Sequence, residues 1–320
     1  MKKYSIIIVA VFLLVFIGCN TNKAPQTPEE FHQSLLTVDT HTDTPLRLMR
    51  EHYDLSERHD ARQRGGKVDF PRMKEGGLDG IFFAVFIGQG ERTPEGHQAA
   101  KERTLAIFDS VHAAINRSPE MVQLAVRADD LERINREGKL AIYIGIENGY
   151  PLGNDLAMVE QFYDLGARYI TLCHSNNNDI CESSTDADDP EMDGLTEFGE
   201  QVVKEMNRLG MIVDISHVSD GSFYDVLEVS SAPVMASHSS ARAVWDNPRN
   251  LNDSMLVALA ENGGVIQVCP VSMFIHEIPF PERDSARNVV FEKHGNYYEL
   301  PPDLKEAFIE DWMAIDSIYP

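Results

Sequence analysis

The amino-acid sequence predicts an α/β fold, a TIM (β/α)8-type barrel whose eighth strand is missing, and three observations lead there. Short apolar runs at residues 36–40, 81–87, 140–146, 168–173, 211–215, 233–236 and 265–269 alternate with segments of helical spacing. That is the rhythm of parallel βαβ units. Several of these runs deliver one polar residue at their C-terminal end: His41, Glu147, His174, His217 and His238. A doubly wound sheet gathers its site at one switch point, whereas a barrel collects it from many strand ends. No further strand-like run follows residue 269.

Before the barrel, residues 1–18 read as a signal segment. Lys2 and Lys3 form a positive start, and Ile6 to Ile17 is an apolar stretch too short to span a bilayer with ease. It runs into Phe16-Ile-Gly-Cys19, which resembles a bacterial lipobox. Cys19 is therefore the expected lipidation site, and residues 19–28 the lipidated Cys and its tether. Residues 29–320 are expected to form the barrel domain. The expected location is the cell envelope of a bacterium, as an exported lipoprotein held to the membrane by its N-terminal lipid. Cys173, Cys181 and Cys269 remain, an odd number that permits one disulfide at most. Cys173 lies in a strand-like run and reads as a small buried hydrophobe.

Thr27 is placed to cap a short helix over residues 28–34. The first strand, 36–40, ends in the pair His41 and Asp43, which are two apart and so face the same side. Residues 47–66 read as a solvated helix or loop, and 68–77 as a short helix stopped by glycine. The run at 81–87 is apolar on both faces, as a strand buried on both sides must be. Helices are expected over 93–115, 154–165, 195–209, 221–229 and 253–261, with Gly166 and Gly210 as C-caps. Residues 175–193 form a polar loop. After Cys269 the chain reads as loop until a single helix over 301–318.

The 320 residues carry 28 basic and 51 acidic side chains, a net charge of −23. Such acidity excludes charge-driven binding of nucleic acid or of an anionic membrane surface. Three histidines (His41, His217, His238) and two carboxylates (Asp43, Glu147) at strand ends form a set of N and O ligands suited to zinc or a similar divalent ion. That is more than one tetrahedral ion with an open position needs. Two ions bridged by Glu147 would use them all, one on His41 and Asp43, the other on His217 and His238. Such a pair activates a shared water for amide hydrolysis. The other histidines, among them His97, His112 and His294, read as satisfied or exposed side chains. Asp39 and Asp214 fit supporting roles as readily as catalytic ones.

Thr40-His-Thr-Asp43-Thr-Pro, Gly145-Ile-Glu147-Asn-Gly, Leu172-Cys-His174-Ser-Asn, Gly194-Leu-Thr-Glu-Phe-Gly199, Asp214-Ile-Ser-His217-Val-Ser-Asp220 and Ala236-Ser-His238-Ser-Ser-Ala-Arg242 resemble the membrane (renal-type) dipeptidase family. That family belongs to the amidohydrolase-like TIM barrels. The resemblance implies a binuclear zinc dipeptidase acting on small dipeptides. It also implies that His174 lies near the developing oxyanion and that Arg249 pairs with the substrate's terminal carboxylate, a task suited to a bidentate guanidinium. The family's eighth-strand Gly-Ser-Asp-Phe-Asp-Gly-like segment, whose first Asp handles the catalytic proton, has no counterpart in residues 270–320. On that reading the chain stops short of strand eight, which would leave the edges of the first and last strands open. A related binuclear hydrolase of another amide, lactam or lactone, or an inactive truncated lipoprotein, are the alternatives. The oligomeric state stays open, a homodimer included.

Overall fold

In the computed structural model the described residues are 27–50, 53–61, 66–186, 194–276, 281–295, 297 and 300–319. The signal segment, Cys19, most of the tether and His52 lie outside them. The chain divides into two units, Met1–Leu36 and Thr37–Pro320. In the first, helix α1 (Pro28–Gln33) is closed by a capping box: Thr27 accepts from the Glu30 amide and Glu30 reaches back to the Thr27 amide.

In the second unit, strands β1 (Val38–Thr42), β2 (Gly80–Phe86), β3 (Val122–Leu124), β4 (Leu140–Glu147), β5 (Ala167–Thr171), β6 (Ile212–Asp214), β7 (Met235–Ser239) and β8 (Val265–Val268) form one sheet, and every pair in it is parallel. The order is β1-β2-β4-β5-β6-β7-β8, with β3 attached to β4. β3 pairs the first half of one β4 edge and β5 the second half. The expected seven runs are the seven strands of the continuous path. β3 is an addition, and its three residues are too few to show a period in sequence.

The helices are α2 (Pro45–Arg50), α3 (Phe70–Glu75), α4 (Pro94–Arg117), α5 (Asp130–Arg136), α6 (Ala157–Asp164), α7 (Glu197–Leu209), α8 (Asp220–Val229), α9 (Asp253–Glu261), α10 (Ser272–Ile275), α11 (Pro281–His294) and α12 (Pro302–Ile318). Their starts are written in sequence: Asp69, Thr93, Thr196, Ser219 and Asn252 each cap a helix through their side-chain oxygen. Gly210 ends α7 at φ 76°, a left-handed turn that glycine adopts without strain. Contrary to expectation, the segment after Cys269 is not loop up to residue 301. It forms α10 and α11, and α11 packs with α12 through Val290, Phe308, Trp312 and Ile315. None of the described helices is long and apolar enough to cross a membrane.

Alternation along β4 sets what faces where. Leu140, Ile142, Ile144 and Ile146 pack in the large core that the sheet shares with the helices, while Ala141 and Tyr143 pack in a second, smaller cluster. With a period of two, Gly145 and Glu147 share the side of Ala141 and Tyr143. That second cluster is built on stacked rings: Phe82 lies 4.7 Å from Tyr143 and 5.3 Å from Tyr169, centroid to centroid.

Among the described residues no backbone ladder joins β8 to β1. The seam is bridged by side chains instead. Gln267 on β8 accepts from the Thr40 amide at 2.9 Å and donates to the Val38 carbonyl at 3.2 Å. Thr40 Oγ1 donates to the Ser237 carbonyl at 2.6 Å. One amide side chain thus makes the two backbone contacts that a neighbouring strand would make, while Val265 and Val268 remain exposed. The expectation of an unclosed barrel is borne out.

Gly145 is the most restrictive position of this layer. A Cβ there would meet Tyr169 Cζ at 2.0 Å. Gly145→Ala is expected to displace the Tyr169 ring and to destabilise the protein by about 1–3 kcal/mol, measured as a lowered urea midpoint. A midpoint equal to that of the parent chain would contradict the packing described.

Candidate metal centre

Glu147 is the last residue of β4 and is only 3% exposed. Four imidazoles surround its carboxylate. His41 Nε2 lies 3.5 Å from Oε2, while His217, His238 and His174 place Nε2 at 3.2, 3.4 and 3.6 Å from Oε1. His217 and His238 are 2.9 Å apart, Nε2 to Nε2. The His41 and His238 rings lie 3.8 Å apart. The strand ends singled out in sequence therefore do converge, from β1, β4 and β7 and from the turns after β5 and β6. The cluster opens into a cavity of about 760 Å³, which is also lined by Lys67, Gln267 and Phe274.

Backbone and side chains hold each ligand differently. His41 Nδ1 is 3.1 Å from the hydroxyl of the buried Tyr169. His238 Nδ1 is 2.8 Å from Ser237 Oγ, and His174 Nδ1 is 3.0 Å from Ser175 Oγ. His217 Nδ1 is buried with no hydrogen-bond partner. Its orientation comes from the main chain, with φ at 73°, a region where a non-glycine residue costs about 1–3 kcal/mol. Asn148, directly after Glu147, is also left-handed at φ 79°. There the side chain compensates: it donates to the Ile87 carbonyl and accepts from the Tyr150 amide and from Asn178. Strained backbone thus stands beside two of the ligand-bearing positions.

Two expected site residues sit further out. Asp43 is largely exposed, with Oδ1 3.8 Å from His41 Nε2. The compact groups among the described residues are His41, Glu147 and His238, and Glu147, His174 and His217. Arg249 is buried behind the cluster rather than lining its cavity. Its guanidinium donates to the His238 carbonyl at 2.9 Å, lies 5.2 Å from the Phe274 ring, and leaves Nε without a partner. Tyr169 and Ser237, which contact the ligands, went unnoticed in sequence because a Tyr in an apolar run and a Ser beside His carry no distinctive pattern. Three further histidines are satisfied as expected: His97 on Asp179, His112 on the Leu165 carbonyl, and His294 on Asp311. All three described cysteines are buried and unpaired.

The electrostatics show that the cluster needs a positive charge. Burial opposes a charge on His41, yet Asp43 and Glu147 outweigh it and raise its pKa from 6.5 to about 10. Burial pushes Glu147 upward, but the imidazoles of His217, His238 and His41 beside it hold it well below the carboxylate range. Burial keeps His217, His238 and His174 below the ordinary imidazole value. In the bare cluster a proton on His41 balances the buried carboxylate. A divalent cation among the same N and O atoms would do so better, and the donor set fits one.

A parallel barrel that collects imidazoles and a buried carboxylate at the C-terminal ends of its strands has the build of a metal-binding (β/α) barrel. More particularly, residues 26–314 match the model of the membrane dipeptidase family (Peptidase family M19), and the chain belongs to that family. It is 35% identical over 259 residues to Dipeptidase tcpJ of Claviceps purpurea (strain 20.1), covering 79% of this chain and 60% of that protein. It is 38% identical over 237 residues to Dipeptidase 3 of Mus musculus, covering 72% of this chain and 46% of that one. The chain thus aligns with about half of the length of these relatives. Among solved structures it resembles the probable dipeptidase PvdM from Pseudomonas aeruginosa, with a TM-score of 0.69, 25% identity, and 90% of this chain and 77% of that chain covered.

The shifted groups predict how the metal-free protein responds to pH. His41, raised from 6.5 to about 10, contributes stability that is complete below pH 6.5 and lost as pH climbs toward about 10. His217 and His238, held low, contribute stability above 6.5 that is lost as pH falls. Glu147 adds a loss below 4.5. The Tm of the metal-free chain should therefore peak near pH 6.5, and His41→Asn should flatten the alkaline side. An unchanged alkaline decline in that variant would contradict the assignment.

Proposed function

We propose that this chain is a metal-dependent dipeptidase whose centre is Glu147 with His41, Asp43, His217 and His238, holding two Zn2+ ions bridged by the Glu147 carboxylate. The single observation that carries the reading is the buried carboxylate ringed by imidazole nitrogens at 3.2–3.6 Å. Family membership and the names of the aligned relatives support a dipeptide as the substrate. The cavity of about 760 Å³ falls in the range that holds small ligands.

When bound, the ion pair supplies a nucleophilic water at neutral pH and polarises the scissile carbonyl. The chain's own residues position everything else. Glu147 is the natural bridge, since its two oxygens already face different imidazoles, Oε2 toward His41 and Oε1 toward the other three. In this assignment His41 and Asp43 would hold one ion, and His217 and His238 the other. His174, neutral because burial lowers its pKa, presents Nε2 at the cavity and can donate to the oxyanion as the carbonyl becomes tetrahedral. Arg249 holds a positive charge behind the cavity and has one donor, Nε, to spare. We assign it to the terminal carboxylate of the substrate.

The N-terminal segment adds a location. Lys2 and Lys3, the apolar stretch to Ile17 and the Phe16-Ile-Gly-Cys19 sequence support export and a lipid on Cys19, hence a dipeptidase tethered at the bacterial cell envelope. Cys19→Ala should abolish incorporation of labelled palmitate in cells; continued labelling would refute the anchor.

The activity test is hydrolysis of L-Ala-L-Ala and L-Ala-D-Ala by the chain lacking residues 1–18, with Zn2+ added. Turnover should vanish in Glu147→Gln. His174→Ala should keep its metal and lose about 10²–10³-fold in kcat. No turnover of either dipeptide by the Zn2+-loaded parent chain would sink the reading.

A further inference from the structure

Asp214 closes β6 and is fully buried, yet it touches neither the cavity nor any imidazole. It is tied to the two neighbouring strands. Oδ1 accepts from the amides of Ser216 at 3.1 Å and Ser237 at 2.9 Å. Oδ2 accepts from Thr171 Oγ1 at 2.5 Å and Ser237 Oγ at 2.6 Å. Every contact it makes is from a donor. The ends of β5, β6 and β7, which lead into His174, His217 and His238, are thus tied to one carboxylate.

The direction of these bonds fixes hydrogens further on. Ser237 has one hydroxyl hydrogen, and it is committed to Asp214. Its Oγ can then only accept, and its neighbours are His238 Nδ1 at 2.8 Å and Ser216 Oγ at 3.3 Å. Ser216 Oγ already accepts from the His238 amide at 3.0 Å, which leaves its own hydrogen for Ser237. The set closes with each hydrogen used once, provided that His238 carries its proton on Nδ1.

We propose that Asp214 and Ser237 are positioning residues that hold His238 as its Nδ1–H tautomer and thereby aim the Nε2 lone pair at the metal position. The proposal rests on the metal-site reading above and extends it one layer outward, where partners of ligating histidines tune affinity. It accounts for a buried aspartate that the chemistry itself does not use. It also explains why a hydroxyl stands between Asp214 and His238: the carboxylate orients the imidazole while still bonding the backbone amides of Ser216 and Ser237.

Asp214→Asn tests this sharply because its orientation is forced. The amide oxygen must face the two backbone N–H groups, which puts the NH2 where Oδ2 was, facing two hydroxyls. Ser237 Oγ then accepts from Asn, its hydrogen turns to His238 Nδ1, and the imidazole proton moves to Nε2, which blocks ligation. The experiment uses the full chain with isotope-labelled histidine. Long-range proton–nitrogen spectra of the metal-free protein read the His238 tautomer, and chelator competition reads Zn2+ affinity.

The parent chain should show Nδ1–H. Asp214→Asn should show Nε2–H and bind Zn2+ about ten- to a hundredfold more weakly. Ser237→Ala should lose the fixed tautomer and weaken Zn2+ binding, and Ser237→Thr, which keeps the hydroxyl, should preserve both. An unchanged His238 tautomer in Asp214→Asn would overturn the proposal, as would undiminished Zn2+ affinity. Should that variant not fold, the Ser237→Ala and Ser237→Thr pair decides alone. If the parent chain binds no Zn2+, the metal reading fails, and the tautomer shift still judges the relay.

Discussion

A carboxylate buried among imidazoles is the constraint that the rest of this structure serves. Removing Glu147 from water carries a desolvation penalty that only nearby positive charge or hydrogen-bond donors can offset. The protein supplies four imidazoles within 3.6 Å. Two of these, His217 and His238, are buried so deeply that they resist protonation themselves. The charge demand falls on His41 in the bare cluster, and a divalent cation satisfies it more fully. Stability and metal affinity are thereby linked through the same atoms, since whatever neutralises Glu147 also holds the strand ends together.

Geometry makes the demand possible. A parallel barrel sends successive strand ends to one rim, and the period of two along β4 brings Glu147 to the side of Tyr143 and Gly145, opposite the isoleucines of the large core. Packing directly beneath the rim is polar by design rather than apolar: Tyr169, Thr171, Asp214, Ser216 and Ser237 form a hydroxyl layer with its donors and acceptors paired. Below that layer come the stacked rings of Phe82, Tyr143 and Tyr169. Tyr169 belongs to both layers, with its ring in the stack and its hydroxyl on His41. The missing side chain at Gly145 is what makes room for it. At the seam between β8 and β1 the same economy applies, with one Gln267 amide bonding both a backbone N–H and a backbone C=O.

Much of this was legible in sequence because strand ends announce themselves. An apolar run that stops on His or Glu has two signals in a row, and the runs ending at Glu147, His217 and His238 located strands and ligands together. Helix starts were nearly as plain: those expected at 93, 195 and 253 begin at Pro94, Glu197 and Asp253. What escaped was anything lacking a period or a partner visible along the chain. β3 is too short to alternate, and α10 and α11 lack the strong apolar patterning that marks α7. Asp214 could be placed near the site but its role could not, because that role depends on Thr171 and Ser237, 43 and 23 residues away. Arg249, expected to pair with the substrate carboxylate, also bonds the His238 carbonyl, a contact made by the β7–α9 connection that local sequence does not announce.

The central claim is that this cluster is a metal centre bridged by Glu147. Elemental analysis of the chain lacking its signal segment, equilibrated with Zn2+ and freed of excess, tests it most directly. Two tightly bound ions per chain, lost together in Glu147→Ala, are the predicted result. A chain that binds no ion, or a Glu147→Ala variant that keeps both, would contradict it.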